Sequence, residues 1–159
     1  MATVSKISPC LWFDGQAVEA AEHYVKVFDN SQIIRTVEYT DAGPGTPGSV
    51  LLVDFELDGL QFTALNGGPE FTISEAVSFQ IICEDQAEID RYWDALVDIE
   101  QPCGWLKDKF GVSWQIAPTA MYELFDSGDT ERLERAMAAV LSTFGKIDLA
   151  AIEKAADGG

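Results

Sequence analysis

Few residues in this sequence are suited to binding a transition metal or a nucleic acid. The chain of 159 residues contains one histidine, His23, and has 10 Lys and Arg residues against 27 Asp and Glu residues, a formal net charge of −17 at pH 7. One histidine excludes a metal site built on two histidines. The acidic excess repels a phosphate backbone or an anionic membrane surface. We therefore expect neither nucleic acid nor membrane as a partner.

Long apolar runs and cysteine motifs are also missing. The sequence has no apolar run of the roughly 18 residues that a membrane-spanning helix needs. Residues 1–9 lack the apolar stretch of a signal peptide. The three cysteines, Cys10, Cys83 and Cys103, have spacings that fit no metal or redox motif. We expect free thiols in a reducing cytoplasm.

A phosphate-binding turn between a strand and a helix is not evident either. No Walker-type motif occurs, and the pair Gly67-Gly68 follows a predicted strand without a helix behind it. Residues 41–48 are rich in Gly and Pro and are expected to form an irregular loop. The sequence thus predicts no nucleotide and no other cofactor.

One structural unit occurs twice: a short strand, a helix that begins at Gln-Ala, and further strands. In the first copy a strand over 7–13 precedes a helix over 16–28, and in the second a strand over 76–83 precedes a helix over 86–97. After each helix the apolar residues recur with the period of a strand. Because such a unit is too short to bury its own sheet, we predict an α+β fold in which two βαβββ modules form a cup-shaped mixed sheet.

The remaining residues are predicted to be helical. We expect residues 1–125 to form the domain, with modules over about 5–66 and 76–117, and residues 126–159 to form a helical tail. Thr119 is a predicted cap for a short helical turn, whereas Asp129 and Asp148 mark the starts of two further helices. The longer of these has an apolar stripe, formed by Leu133, Met137, Val140, Leu141 and Phe144.

That stripe and the sheet edges need cover, so we expect a homodimer. The sequence leaves open the alternative that the stripe packs on its own subunit.

An Asp-Gly pair predicts the register of the first sheet. Asp58-Gly59 is typical of a two-residue type I′ turn, which places Phe55 opposite Phe62 on one face and Asp54 opposite Thr63 on the other. The second module shows the same alternation. Its polar face carries small, uncharged, hydrogen-bonding groups, which are typical of a ligand cavity. We expect a small-molecule cavity lined by Trp12 (or Leu11), Gln61, Thr63, Leu65, Ser78, Gln80, Trp105, Ser113 and Gln115.

Catalytic residues are harder to assign. His23 lies off the apolar stripe of its helix, where a surface position is expected. Asp54 and Glu56 face the same side of their strand and could act as a carboxylate pair, but solvated acids on an exposed strand fit equally well. Cys10 has no histidine placed to activate it as a nucleophile.

Three segments together resemble one known family, the PhnB-like branch of the vicinal oxygen chelate superfamily, often labelled 3-demethylubiquinone-9 3-methyltransferase. The superfamily also contains glyoxalase I, the bleomycin-resistance proteins and the extradiol dioxygenases. The resemblance implies two βαβββ modules, commonly within a dimer. It rests on residues 14–17 (Asp-Gly-Gln-Ala) with His23, Tyr24 and Phe28, on 64–69 (Ala-Leu-Asn-Gly-Gly-Pro) and on 105–111 (Trp-Leu-Lys-Asp-Lys-Phe-Gly).

The resemblance also implies where a metal would be held, since enzymes of the superfamily bind a divalent ion with His and Glu on the first and last strands of each module. At those positions this chain has Pro9 or Cys10, Ser78 and Gln115, and the strand over 60–65 offers no Glu. An amide and a hydroxyl are weak ligands beside imidazole and carboxylate. We expect no metal.

Residues and resemblance together predict a metal-independent protein that holds a small, largely apolar molecule, as the bleomycin-resistance relatives do. Two alternatives stay open. One is an enzyme of the glyoxalase or methyltransferase-labelled type that uses Asp54, Glu56 or Gln115. The other is a non-catalytic subunit that acts through protein contacts.

Overall fold

The computed structural model describes residues 5–159 and divides into two compact units, with the division between Ile73 and Ser74. The first unit carries one four-stranded sheet in the order β1-β4-β3-β2, in which β1 runs parallel to β4 and the other pairs are antiparallel. Its elements are β1 (Cys10–Phe13), α1 (Ala17–Val27), β2 (Gln32–Glu38), β3 (Val50–Leu57) and β4 (Leu60–Asn66).

The second unit repeats this topology and adds three helices. Its sheet has the order β5-β8-β7-β6, again with the first strand parallel to the last. The predicted α+β fold of two βαβββ modules with a helical tail is confirmed. The elements are β5 (Ser78–Cys83), α2 (Gln86–Leu96), β6 (Ile99–Glu100), β7 (Trp105–Lys107), β8 (Ser113–Pro118), α3 (Thr119–Ser127), α4 (Thr130–Ser142) and α5 (Leu149–Ala156).

Each module buries one face of its sheet under its own helix. In the first, Tyr24 of α1 stacks on Phe55, which in turn stacks on Phe62, with ring centroids 6.1 Å and 5.3 Å apart. In the second, Asp85 caps α2 by accepting a 2.9 Å hydrogen bond from the amide of Glu88. The predicted apolar face of α2 is buried, as Ile89, Trp93 and Leu96. The opposite face of each sheet is the one that carries polar groups.

The predicted hairpin turn is confirmed. Asp58 and Gly59 have φ angles of 44° and 81°, as a type I′ turn requires. β3 and β4 pair in the predicted register, with Phe55 opposite Phe62 and Asp54 opposite Thr63. The turn chemistry therefore determines which side chains share the open face of the first sheet.

The glycines of residues 43–48 have the spacing G-x-G-x-x-G, but they do not form a nucleotide-binding turn. This loop joins β2 to β3, which are antiparallel strands of one hairpin, whereas the nucleotide motif joins a strand to a helix. Tyr39, at the start of the loop, bonds to Ser49 and Gly48 through its backbone.

The tail folds back on the second module. The backbone amide of Cys103 donates to Thr143 at 2.9 Å, and that of Gly145 donates to Gln101 at 3.0 Å. The Gln86 side chain, at the start of α2, also donates to the Ile147 carbonyl and accepts from the Leu149 amide. Lys146 pairs with Asp90 and Asp94 of α2 at 3.1 Å and 2.8 Å, and its bond to Asp94 raises its pKa.

One detail of α3 differs from the sequence prediction. Thr119 does not cap α3; its hydroxyl donates instead to the carbonyl oxygen of Cys83 at 3.1 Å. The predicted apolar stripe is largely uncovered within the single chain: Met137 and Leu141 of α4 and Phe144, which follows the helix, are exposed at 42%, 68% and 69%. Asp129 and Asp148 do cap α4 and α5 as predicted. Within residues 5–159, no helix combines the length and apolar character needed to cross a membrane.

Candidate functional site

The open face of the first sheet is organised around Asp54. One oxygen of its carboxylate accepts a 2.6 Å hydrogen bond from the Arg35 guanidinium, and the other accepts one of 2.6 Å from the Thr63 hydroxyl. Glu56 lies two residues further along β3, opposite Gln61. Because both oxygens of Asp54 are already bonded, the geometry favours a structural acceptor over a carboxylate that is ready to take a proton.

The other predicted residues of this unit lie on β1 and β4. Trp12 pairs with Leu65 on the open face, whereas Leu11 pairs with Ala64 and is buried on the helix side. The register thus places Trp12, and not Leu11, on the open face. The Trp12 indole N–H donates to the carbonyl oxygen of Gly68 at 2.8 Å. Gln61 accepts a 2.8 Å hydrogen bond from the backbone amide of Ser5.

Cys10 shares the open face with Thr63, its partner across the parallel pair β1 and β4. The residue is exposed, yet partial desolvation of its thiol, with a smaller contribution from the Asp54 charge, raises its pKa. A raised pKa lowers the thiolate fraction at neutral pH, which disfavours a nucleophilic role.

The open face of the second sheet carries a directed chain of hydrogen bonds. The Tyr122 hydroxyl of α3 donates to Gln80 Oε1 at 3.3 Å, Gln80 Nε2 donates to Gln115 Oε1 at 3.4 Å, and Gln115 Nε2 donates to Ser78 Oγ at 2.7 Å. Each carboxamide keeps one N–H and acceptor capacity beyond these bonds. The face can therefore meet both a donor and an acceptor of a ligand.

A cavity of about 220 Å³ opens beside this chain. Three of the predicted site residues line it: Gln80, Trp105 and Gln115. The rest of the lining is apolar apart from one hydroxyl and one thiol, and no charged side chain among residues 5–159 contributes to it. These residues are Cys103, Ile116, Ala117, Pro118, Met121, Tyr122, Phe125, Val140 and Ile147.

A charged cluster lies further along the same face. Lys107, whose neighbour across the strands is Ser113, pairs with Glu75 at 2.6 Å, and Gln101 donates to the same Glu75 oxygen at 3.0 Å. The pKa of Glu75 is lowered to about 2, first by the hydrogen bond from Lys107 and then by hydrogen bonds from the Glu75 backbone and from Gln101. Ser113 is fully buried, and its hydroxyl has no hydrogen-bond partner within residues 5–159. Neither Ser78 nor Ser113 lines the cavity.

The residues at the implied metal positions do not fit a transition metal. Gln115 and Ser78 are hydrogen-bonded to each other and supply no charge to offset the desolvation of a divalent cation. Among the described residues, His, Cys, Asp and Glu form no group of three or more that could hold a metal ion. His23 lies on α1, beside Tyr24.

The cavity residues that sequence reasoning missed come mainly from α3 and from the tail that follows it. Met121, Tyr122 and Phe125 lie on α3, which continues directly from β8 without a loop. Tyr122 and Phe125 pack edge to face, with ring centroids 5.7 Å apart. The two aromatic residues at i,i+3 indicate an aromatic patch on one side of α3, but nothing in the sequence says which face of the sheet that patch covers.

The comparisons with known proteins agree with this fold. The profile described as 3-demethylubiquinone-9 3-methyltransferase matches residues 5–117. A solved structure of the PhnB protein from Bacillus cereus is 33% identical and superposes with a TM-score of 0.62, covering 72% of this chain and 99% of the other. A Pseudomonas aeruginosa protein has a similar fold, with 19% identity, a TM-score of 0.56 and coverage of 72% and 98%. No curated protein matches the chain.

The match extends over both βαβββ modules and stops at residue 117, just before α3. The resemblance predicted from the three sequence segments is thereby confirmed. This chain belongs to the 3-demethylubiquinone-9 3-methyltransferase family, the PhnB-like branch of the vicinal oxygen chelate superfamily.

Proposed function

We propose that this protein binds a small, neutral and largely apolar molecule in the cavity on the open face of its second sheet. The observation that carries the proposal is the lining itself: two carboxamides, Gln80 and Gln115, beside the Trp105 ring and a mainly apolar wall. A mostly apolar concave site with a few polar groups that fix orientation is the usual form of a ligand pocket.

The absence of charged side chains from the lining supports a neutral ligand. A charged group entering this cavity would lose its hydration without meeting an opposite charge. An anion would in addition be repelled by the chain, which has a formal net charge of −17 at pH 7. The volume of about 220 Å³ is below the roughly 300 to 1,000 Å³ of pockets for drug-sized molecules. The proposed ligand is therefore a small one.

Binding without a metal is part of the proposal, because the amide of Gln115 and the hydroxyl of Ser78 replace the ligands that the family resemblance implies. An enzymatic role for Asp54 or Glu56 has less support. The Asp54 carboxylate is bonded at both oxygens, and both residues belong to the first unit, whereas the cavity lies in the second. Trp12, Gln61, Thr63 and Leu65 stay proposed contacts on the first sheet.

We further propose that the protein is a cytoplasmic homodimer. The exposed apolar side chains of the tail, Met137, Leu141 and Phe144, together with Phe125, offer a surface that a second copy could bury. Free thiols at Cys10, Cys83 and Cys103 fit a reducing compartment. Sedimentation should give a dimer that Leu141→Glu dissociates; a monomeric wild-type protein would contradict the homodimer.

Native mass spectrometry of protein isolated from its own host tests the binding proposal. We expect a complex with one small molecule per chain, which is lost in Ala117→Phe because the new ring fills the cavity. Ala138→Phe, on the exposed side of α4, is the matched control and should keep the ligand. Near-stoichiometric zinc, nickel or iron by elemental analysis, lost in Gln115→Ala, would contradict the metal-free proposal.

A further inference from the structure

Half of the residues that line the cavity lie in a part of the chain outside the family match. The match ends at residue 117, whereas Met121, Tyr122 and Phe125 of α3, Val140 of α4 and Ile147 all line the cavity. The alignment with the PhnB structure covers 99% of that protein but 72% of this chain, so part of this chain has no counterpart there. The segment matched by the family profile thus supplies only part of the site.

The tail is also firmly joined to the module that it covers. Ile147 is buried, with 2% of its surface exposed. Its side chain lies close to Gly104: a Cβ added to this glycine would be 2.8 Å from Ile147 Cγ1. Backbone hydrogen bonds on either side, Cys103 to Thr143 and Gly104 to Gly145, fix this approach. The tail residues are therefore a fixed wall and not a loose extension near the cavity.

Tyr122 makes the one polar contact from α3 to the two carboxamides of the sheet that the structure records. Its hydroxyl donates to Gln80 Oε1, and this bond orients the Gln80 amide, which in turn donates to Gln115. Without the hydroxyl, the Gln80 carboxamide could rotate and would have to be ordered by the ligand. Phe125, one turn on, supplies only apolar surface to the same wall.

We infer that the C-terminal helices determine which ligand the second module accepts, with Tyr122 as the residue that positions Gln80 for a ligand bearing an amide-like edge. This inference rests on the proposed function. The ligand class is a planar, neutral molecule with an apolar ring and one adjacent donor and acceptor, such as a primary carboxamide or a lactam. The donor and acceptor would bond to the unused groups of the two carboxamides, and the ring would contact Trp105 and Phe125.

Three small probes separate these requirements: benzamide carries the ring and the amide edge, toluene carries the ring alone, and benzoate replaces the amide by a charge. Binding of each to the full chain is measured by NMR titration. We expect benzamide to bind most tightly, toluene more weakly, and benzoate not at all. Tyr122→Phe should weaken benzamide about fivefold, the size of one neutral hydrogen bond, and leave toluene unchanged.

Matched variants test whether changes in probe affinity arise only from residues that line the cavity. Phe125→Ala should weaken both neutral probes about tenfold through lost contact area. Phe144→Ala, on the exposed part of the tail, should change neither affinity. Tyr39→Phe, which removes a hydroxyl bond to Asn66 in the first unit, should change neither as well. Thermal melting confirms that each variant is folded.

The outcomes are distinguishable. If the wild-type protein binds benzamide and toluene but Tyr122→Phe and Phe125→Ala bind them equally well, the inference about the C-terminal helices is wrong and the proposed function stands. Failure of both neutral probes to bind the wild-type protein, or preferential binding of benzoate, would overturn the proposed function and the inference with it.

Discussion

The Trp114 indole N–H donates a 2.8 Å hydrogen bond to Oδ2 of Asp108, a carboxylate with 2% exposure. The other oxygen of Asp108 accepts from the backbone amides of Phe110 and Val112 at 2.9 Å and 3.0 Å. The Asp108 side chain thus holds the turn between β7 and β8 together and joins it to the core. This turn determines the register in which Trp105 pairs with Gln115.

We expect Asp108→Asn to lower the free energy of unfolding by about 2 kcal/mol. The NH₂ group of the new side chain cannot accept a hydrogen bond, so at least one of these buried N–H donors loses its partner. Urea unfolding followed by tryptophan fluorescence measures the change. The exposed Asp98, changed to Asn, is the control and should shift the midpoint little. Equal midpoints for the two variants would show that the buried carboxylate does not stabilise the turn.

Gly104→Ala tests the junction between the tail and the second module. Gly104 has a φ of 78°, and an added Cβ would lie 2.7 Å from the Ile116 carbonyl oxygen. Gly128 has a φ of 72° but nothing within 4 Å of such a Cβ. We expect Gly104→Ala to cost at least about 2 kcal/mol of stability and Gly128→Ala about 1 kcal/mol. Similar costs in chemical unfolding would mean that the tail is not packed at Gly104 as described.

The local features of this fold could be predicted because they depend on neighbouring residues. Asp58-Gly59 specifies its turn and the register, and Asp85, Asp129 and Asp148 each cap the helix that follows them. The alternation along β5 and β8 also predicted Gln80 and Gln115 on the open face. The tail could not be placed in this way, since its stripe is equally compatible with its own subunit or a second one.

Thr119 shows the limit of local reasoning. Threonine is typical of a helix cap, but β5 lies beside Thr119. The backbone carbonyl of Cys83, on β5, accepts the hydrogen bond from the Thr119 hydroxyl instead. The cavity wall was missed for a related reason, because no pattern in the sequence says which face of the sheet α3 covers. The division into a domain over 1–125 and a tail over 126–159 stays a prediction.

The thiols of Cys10 and Cys83 should differ in reactivity. Burial, and to a smaller extent the charge of Glu88, raises the pKa of Cys83 to about 12, so we expect no alkylation by iodoacetamide at pH 8 in the folded protein. Asp54→Asn should speed the alkylation of Cys10, because loss of the carboxylate charge lowers the pKa of that thiol. Peptide mass spectrometry measures the rates. Glu56→Gln is the control, and an equal acceleration by it would contradict a specific effect of Asp54.

The lowered pKa of Glu75 predicts that the stability of the protein depends on pH. Its pKa is lowered from 4.5 to about 2, first by the hydrogen bond from Lys107, so the folded state favours the carboxylate. The stabilising effect is complete above pH 4.5 and is lost as the pH falls towards 2. The urea midpoint of the wild-type protein should exceed that of Glu75→Gln at pH 6, and the gap should close near pH 2. A gap that is constant with pH, as expected for exposed Glu134→Gln, would contradict this pairing.

A crystal structure of the protein grown with benzamide tests the central claim most directly, namely that the second module binds a small neutral molecule beside Gln80 and Gln115. We predict electron density for the amide within hydrogen-bond distance of both carboxamides, with the ring between Trp105 and Phe125, and no such density in crystals of Ala117→Phe. Density for benzamide only on the first sheet, beside Asp54, would contradict the account.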